Sequence, residues 1–515
     1  MHQSPQPHAY PKIAKLTVVS RNGFGRDEQS SGAANSEQSK ILYVTSEMAD
    51  FVKVGGLGDV SSALPRALRG YHDVRVLLPG YREVLARHKE LSVVARLPAE
   101  SGLPACDLGR LEMPDGLVVY VILCPELYDR DGSPYGDASG VDWPDNDVRF
   151  ARLGLAAAEL TGGLGDLSWR PDLLHLNDWP SALAAAFLNW RGISTPTILT
   201  IHNLAYQGLF GAARLPALGI PEASFQIDGV EFYGKLSFLK AGIYYASHVT
   251  TVSSTYAQEI TTPELGCGLD GLLRVRSSQG RLTGILNGID ETWGPHGLPT
   301  SQHPVGPFVN RDWAGKPSNA EHVRQAFGLA VSRGPLFAVV SRLVHQKGID
   351  LTIQATETIL REGGQLVITG RGEARFEMAL QELAVRHPGN VGVRIGFEEG
   401  EARQMFAGSD FLLMPSRFEP CGLSQMYAQS FGTLPVASKT GGLADTVEDG
   451  VTGFLFEETS LAEMLGALYR AVDIYASPQK LKTMRRAAMQ RRFGWDRSAR
   501  QYCGLYGRAV ANATG

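Results

Sequence analysis

The sequence has no apolar run approaching the roughly 20 residues that a membrane-spanning helix needs, so no membrane partner is expected. Cysteine is scarce: Cys106, Cys124, Cys267, Cys421 and Cys503 are odd in number and scattered, without the C-x-x-C spacing that marks a zinc site or a redox pair. Reduced thiols in a cytoplasm are the expectation, and no His and carboxylate cluster suggests a metal. Net charge is also small, −4 over 515 residues, which gives no general attraction to nucleic acid. Any anion site must therefore be local. Missing too is the G-x-G-x-x-G turn with a downstream acidic ribose ligand that a dinucleotide-dependent dehydrogenase requires, since Gly55-Gly56-Leu57-Gly58 lacks that spacing. Residues 1–39 are rich in Ser, Gln, Asn, Gly and Pro, contain no sustained apolar core of the kind a secretory signal has, and read as a disordered arm.

What is present is an apolar and charged balance of 43 % and 20 %, that of a soluble globular protein, on a chain too long for one core. Two large domains are expected. One short pattern organises them. Lys53-Val54-Gly55-Gly56-Leu57-Gly58-Asp59 returns as Lys439-Thr440-Gly441-Gly442-Leu443-Ala444-Asp445. The first copy follows the apolar run Ile41–Thr45 and leads into a helix-like stretch ending at Leu68. A strand, a glycine loop, a helix start and an adjacent lysine suit a phosphate, because glycines let backbone amides approach it and the helix N-terminus favours an anion. A tight turn with no ligand is the competing account.

From Ile41 onward, short apolar runs alternate with longer helical stretches: Val74–Leu78, Val118–Leu123, Leu173–Leu176, Thr197–Ile201 and Val249–Val252. That alternation predicts a parallel α/β sheet, in which ligands sit beyond the carboxyl ends of the strands. Two such ends carry Asn177-Asp178-Trp179 and His202-Asn203-Leu204. Asp178 could simply cap a helix and His202 could be a bonded core histidine; together at two strand ends they favour a site. The polar, aromatic stretch Tyr128–Asn146 suits carbohydrate, which needs ring faces and hydroxyl partners, although a solvated loop would look similar.

A proline-rich shift in composition begins near Trp293, and a second series of strand candidates follows: Leu336–Val340, Gln365–Ile368, Val391–Ile395, Phe411–Met414 and Leu434–Ala437. Arg342 and Lys347 follow the first of these on one loop. A planar guanidinium fork and a point charge so placed can neutralise a diphosphate leaving group. Glu419, set between Phe418 and Pro420 before a glycine turn, is placed to hold sugar hydroxyls; a buried ion pair is its main rival.

As an ordered set, Thr45-Ser46-Glu47, the Lys53 loop, Ser133–Asp137, Asp142–Asn146, Asn177–Trp179, His202–Gly208, Ser237–Gly242, Leu286–Asp290, Ser341–Leu343, Gln346–Gly348, Arg417–Leu423 and Lys439–Asp445 resemble the bacterial glycogen synthase and plant starch synthase family of retaining glucosyltransferases. The resemblance covers nearly all of the chain from about residue 40. It implies a GT-B fold, an α/β architecture of two Rossmann-like parallel-sheet domains facing across a deep cleft. The N-terminal domain would span 40–290, with 495–515 crossing back onto it, and the donor-side domain would span 291–494. The implied reaction moves glucose from ADP-glucose to the non-reducing end of an α-1,4-glucan, glycogen or a malto-oligosaccharide, with no cofactor.

Carried over by motif, Lys53, Gly55 and Gly56 would lie at the donor's phosphate and sugar, Asp178 near the reacting sugar, and His202 beneath the anomeric centre with Asn287 close by. Arg342 and Lys347 would hold the diphosphate and Glu419 the transferred glucose. Backbone of Cys421, Gly422 and Leu423 with the Ser424 hydroxyl would meet sugar or phosphate, and Phe397 would lie by the adenine. The sequence departs from the family at Pro180, where histidine is frequent, and after Trp293, where Gly294–Gly297 lacks the usual acid; Tyr427 stands where the broader pattern has a second glutamate, as is usual among the synthases. A sibling transferase using UDP-glucose, or a glycan-binding protein that has lost turnover, are the alternatives. Retention of the diphosphate cations argues against the latter.

Overall fold

The computed structural model describes residues 38–88, 91–295 and 315–514. Residues 1–37 of the arm expected at 1–39, and residues 296–314 of the proline-rich stretch that begins near Trp293, lie outside the described residues. Residues 39–515 form one compact unit, built on two large sheets. The first contains β1 (Lys40–Val44), β2 (Asp73–Pro79), β3 (Ser92–Leu97), β4 (Cys106–Glu112), β5 (Val118–Leu123), β6 (Leu173–Asn177), β7 (Thr197–Ile201), β8 (His248–Thr251) and β9 (Leu282–Gly284). Their spatial order is β9-β8-β7-β6-β1-β2-β5-β4-β3. Every residue of β6 and β7 is buried, as expected where helices cover both faces of a parallel sheet.

Strands β1, β2, β5, β6, β7 and β8 coincide with the apolar runs of the sequence to within a residue or two, whereas the short parallel strand β9 was not among them. The antiparallel pair β3 and β4 extends the edge beyond β5 and was not legible as an apolar run. Its outer strand, Ser92-Val93-Val94-Ala95-Arg96-Leu97, is exposed or half-buried along its length, and only Leu97 is buried. A one-sided edge strand has no need of a continuous apolar sequence.

The second sheet contains β10 (Leu336–Val340), β11 (Gln365–Gly370), β12 (Val391–Ile395), β13 (Phe411–Met414), β14 (Leu434–Ser438) and β15 (Phe454–Phe456), all parallel, in the order β12-β11-β10-β13-β14-β15. Strand order therefore reverses between β1 and β6 in the first sheet and between β10 and β13 in the second. Such reversals open a crevice beyond the strand ends. The loops after β1, β6, β10 and β13 are thereby the ones topology sets aside for a ligand.

Six helices matter to that site: α1 (Gly56–Leu68), α2 (Asp178–Trp190), α3 (Ser254–Glu259), α4 (Ser424–Ser430), α5 (Gly441–Thr446) and α6 (Trp495–Thr514). The chain passes from the first sheet to the second near Ile289 and returns near Phe493, and the two passages touch through the Ile289 amide on the Phe493 carbonyl at 2.8 Å. Beside them Trp293 stacks on Tyr427 with ring centroids 3.8 Å apart, and the Arg403 guanidinium lies 3.9 Å from the Trp293 centroid. Tyr427 thus serves the connection between the halves, which accounts for an aromatic at that position.

Helix α6 packs on the first sheet, burying Ala499, Tyr502, Leu505 and Tyr506 in its core. Buried polar groups need partners, and here they supply the attachment. Tyr506 Oη lies 2.6 Å from His175 Nδ1, His175 Nε2 lies 2.7 Å from Thr200 Oγ1, and Thr200 reaches Thr250 Oγ1 at 2.6 Å. Burial lowers the His175 pKa to about 3, so the ring is neutral. Tyr506→Phe removes the partner of a buried ring nitrogen and should destabilise the protein by about 1–3 kcal/mol, read as a lower urea midpoint at neutral pH; an unchanged midpoint would show that α6 is held by packing alone.

Candidate active site

The loop after β1 is held from within. Glu47 is 3 % exposed; its Oε2 accepts the amides of Val54 at 2.7 Å and Gly55 at 3.1 Å, and its Oε1 accepts the Tyr135 hydroxyl at 2.6 Å. The protein's own carboxylate therefore satisfies these two amides. Lys53 pairs with Asp59 at 2.8 Å and remains over one third exposed. What the loop presents outward is this lysine, the Val54 side chain and the backbone around Gly56.

At the end of β6, Asp178 has a left-handed backbone, φ +54°, a conformation uncommon outside glycine that persists only where surroundings impose it. The surroundings are the amides of His202 and Asn203, which donate to Asp178 Oδ1 at 2.7 and 3.4 Å. Burial outweighs these bonds and pushes the Asp178 pKa up to about 7. His202 lies across from it at the end of β7, with Nε2 3.0 Å from Asn177 Oδ1, and burial lowers its pKa to about 3. The imidazole is neutral, so it meets a ligand as a hydrogen-bonding group without charge. The Asn177 amide also donates to the Val44 carbonyl at 3.0 Å, joining the ends of β1 and β6. Asp178 caps no helix, its carboxylate being turned to the loop after β7, and His202 is hydrogen-bonded; the two converge on one crevice.

In the second half, Lys347 Nζ and Glu419 form an ion pair whose side chains are 15 % and 6 % exposed, and Ser416 Oγ donates to the same carboxylate oxygen at 3.1 Å. Arg342 stands on the same loop as Lys347 and reaches across to the Tyr206 hydroxyl of the first half at 3.4 Å. Gly422 has φ +66°, and any Cβ there would meet the Gln425 side chain at 2.4 Å, so the turn into α4 requires glycine. Burial pushes the Cys421 thiol up to about 12. The Ser424 hydroxyl is turned inward onto the Val340 carbonyl at 3.3 Å.

The two halves meet where topology leaves their crevices. A Cβ at Gly56 would lie 3.8 Å from Leu423 Cδ1, so the first glycine loop abuts the Glu419–Ser424 turn. Asn287, 6 % exposed, carries an Oδ1 with no hydrogen-bond partner, a buried acceptor that a ligand hydroxyl or amine would satisfy. The structure thus brings Lys53, Gly55, Gly56, Arg342, Lys347, Glu419, Cys421, Gly422 and Leu423 to one junction, with Asp178 and His202 at the neighbouring strand ends. Phe397 stands apart, 61 % exposed on the loop after β12, two strands from the loop of Arg342. Among the described residues no group of three or more His, Cys, Asp or Glu could hold a metal ion. Sequence reasoning left Glu47, Tyr135 and Asn177 out of the site; the position of Glu47 and Asn177 at strand ends was the available signal.

The family model for the starch synthase catalytic domain matches residues 40–275, and that for glycosyl transferases group 1 matches residues 324–490. The chain is 59 % identical to the glycogen synthase of Pseudomonas fluorescens strain Pf-5 over 93 % of this chain and 92 % of that protein. It is 57 % identical to glycogen synthase 1 of Bradyrhizobium diazoefficiens over 90 % of this chain and 100 % of that protein. The catalytic domain of starch synthase IV from Arabidopsis thaliana, solved bound to ADP and acarbose, is similar with a TM-score of 0.80 at 31 % identity, covering 92 % of this chain and all of that one. Sucrose-phosphate synthase from Thermosynechococcus elongatus, at 18 % identity and a TM-score of 0.57, shares the fold alone.

The raised pKa of Asp178 makes a signed prediction about stability. Below the ordinary carboxyl value both folded and unfolded states hold the proton; as pH rises toward about 7 the unfolded state ionises first, so the stability contributed by the protonated group is lost. Asp178→Asn keeps an acceptor for the two amides and cannot ionise. Its stability relative to the parent should therefore rise between pH 4 and 8 by roughly 1–3 kcal/mol, measured by urea unfolding at both pH values; a difference that does not change with pH would contradict the shift. His202 acts in the opposite sense in both proteins, its stability contribution being lost as pH falls from about 6.5 toward 3.

Proposed function

The chain belongs to the bacterial glycogen synthase and plant starch synthase family of glycosyltransferases, with their GT-B fold, and from that premise we propose the chemistry of its cleft. It transfers glucose from ADP-glucose to the non-reducing end of an α-1,4-glucan with retention of configuration, in glycogen biosynthesis. The observation that carries this reading is the junction itself: the paired Lys347 and Glu419 beside Arg342, set against the Lys53 loop at the point where both sheets reverse strand order.

Breaking the bond between an anomeric carbon and a diphosphate puts negative charge on the leaving oxygens and positive charge on the sugar. Catalysis is then mostly orientation and stabilisation of the departing charge. Arg342 and Lys347 take the diphosphate, and Lys53 approaches it from the other half. Glu419 receives hydroxyls of the transferred glucose, and the backbone around Cys421, Gly422 and Leu423 holds the same sugar. Neutral His202 and the unpaired Asn287 oxygen serve the reacting sugar without adding charge. The outward ring of Phe397 offers a face for the base.

Retention could be achieved by two displacements through a carboxylate nucleophile. Glu419 is poorly suited, because its charge is already committed to Lys347, and the elevated pKa of Asp178 leaves it partly protonated at neutral pH. Front-face attack within an ion pair fits this arrangement better, with leaving phosphate assisting removal of the acceptor proton. The facing loops exclude water, which protects the donor from hydrolysis. The same reading assigns the enzyme to the cytoplasm, where its five unpaired thiols remain reduced.

Transfer of labelled glucose to a glycogen primer from ADP-glucose and from UDP-glucose at equal concentration tests the reading. ADP-glucose should be the better donor, and Lys347→Ala should lower kcat by roughly a hundredfold or more while leaving glucan binding unchanged. Transfer from UDP-glucose alone would favour the sibling transferase. Absence of transfer from both would overturn the assignment.

A further inference from the structure

The second glycine motif, Lys439–Asp445, is occupied entirely by protein. Glu259, the last residue of α3 in the first half, accepts the Thr440 hydroxyl at 2.8 Å and the Gly441 amide at 2.9 Å on the same Oε1. In return, Asp445 in α5 accepts the amides of Ser254 and Thr255 at 2.6 and 3.2 Å on Oδ2 and the Thr255 hydroxyl at 2.5 Å on Oδ1. Each helix thus brings a carboxylate to the unsatisfied N-terminal amides of the other, across the boundary between the halves. Such termini favour negative charge, and charge-assisted bonds of this kind are strong and directional.

The clasp leads directly to the donor-side turn. The Gly442 amide donates to the Glu419 carbonyl at 2.9 Å, and Ser253 Oγ donates to the Pro420 carbonyl at 2.6 Å. The glycines permit this approach: a Cβ would come within 2.0 Å of the Glu419 oxygen at Gly441 and within 1.9 Å of the Cys421 oxygen at Gly442. Gly441 also has φ +43°. The repeated glycine pair therefore seats the Glu419–Cys421 backbone against α5 while α3 holds α5 from the other half.

We propose that Glu259 and Asp445 are positioning residues for glucosyl transfer. They register the donor-sugar turn of one half against the acceptor side of the other, without touching substrate. The inference rests on the functional reading above. Its chemical logic is that a displacement of about 1 Å between donor and acceptor suffices to lower the rate strongly, whereas ADP, held by the second half, is bound whether or not the halves are in register.

The test compares Glu259→Ala, Glu259→Gln and Asp445→Asn in the full chain, measuring kcat and KM for ADP-glucose, the affinity for ADP alone, and the melting midpoint. Glu259→Ala should lower kcat roughly tenfold or more, with ADP affinity within about twofold of the parent and a similar melting midpoint. Glu259→Gln retains an oxygen that can accept both bonds and should recover kcat to within about threefold. Asp445→Asn loses one of two accepting oxygens and should resemble Glu259→Ala; it carries the test should that variant not fold. Parental kcat in Glu259→Ala or in Asp445→Asn would overturn the proposal. So would a parallel fall of kcat, ADP affinity and melting midpoint, or a Glu259→Gln variant as impaired as the alanine one. Absence of transfer by the parent protein is a distinct result, because it removes the functional reading itself.

Discussion

The pair formed by Lys347 and Glu419 is the interaction around which the donor half is arranged. The two residues come from the loops after β10 and β13, the strands between which the second sheet reverses its order. With side chains 15 % and 6 % exposed, neither charge can be left alone; breaking a buried pair typically costs about 3–5 kcal/mol. The pair consequently fixes both loops before any donor arrives. It also balances the site electrically; under the proposed function an incoming diphosphate would meet a lysine that is positioned but can be shared with it.

The same logic operates across the cleft. Lys53 is held by Asp59, and the loop that carries it is fixed by the carboxylate of Glu47. Lys53 and Lys347 are thus each paired with an acid, and amides of the first glycine loop are satisfied by a side chain. Positive groups held ready in this way need little reorganisation when charge develops on a leaving group. Asn287 keeps a buried oxygen unpartnered among the described residues, and it lies close to the junction of the two halves.

Much of this was legible in the sequence because parallel strands covered on both faces must be continuously apolar, as in Leu336–Val340 and Thr197–Ile201. Their boundaries can be read, and the polar residues that follow them, Arg342 and His202, are then candidates by position alone. Strands β3 and β4 escaped notice because an edge pair with one exposed face has a weaker pattern. The first glycine motif was read as a phosphate site. In the structure, amides of both motifs donate to internal carboxylates, Glu47 at the first and Glu259 at the second. Local sequence shows that amides are available at such a loop, but a partner 8 residues away in one case and 182 in the other depends on tertiary structure. Likewise Tyr427 had no visible reason until Trp293 was found stacked on it.

A crystal structure of the protein with ADP and a malto-oligosaccharide would test the central claim most directly. The diphosphate should contact both Arg342 and Lys347 at the junction of the halves, with Lys53 approaching from the opposite loop and the glucan end lying toward Asp178 and His202. ADP bound elsewhere, or held at the junction without contact to either Arg342 or Lys347, would contradict the account.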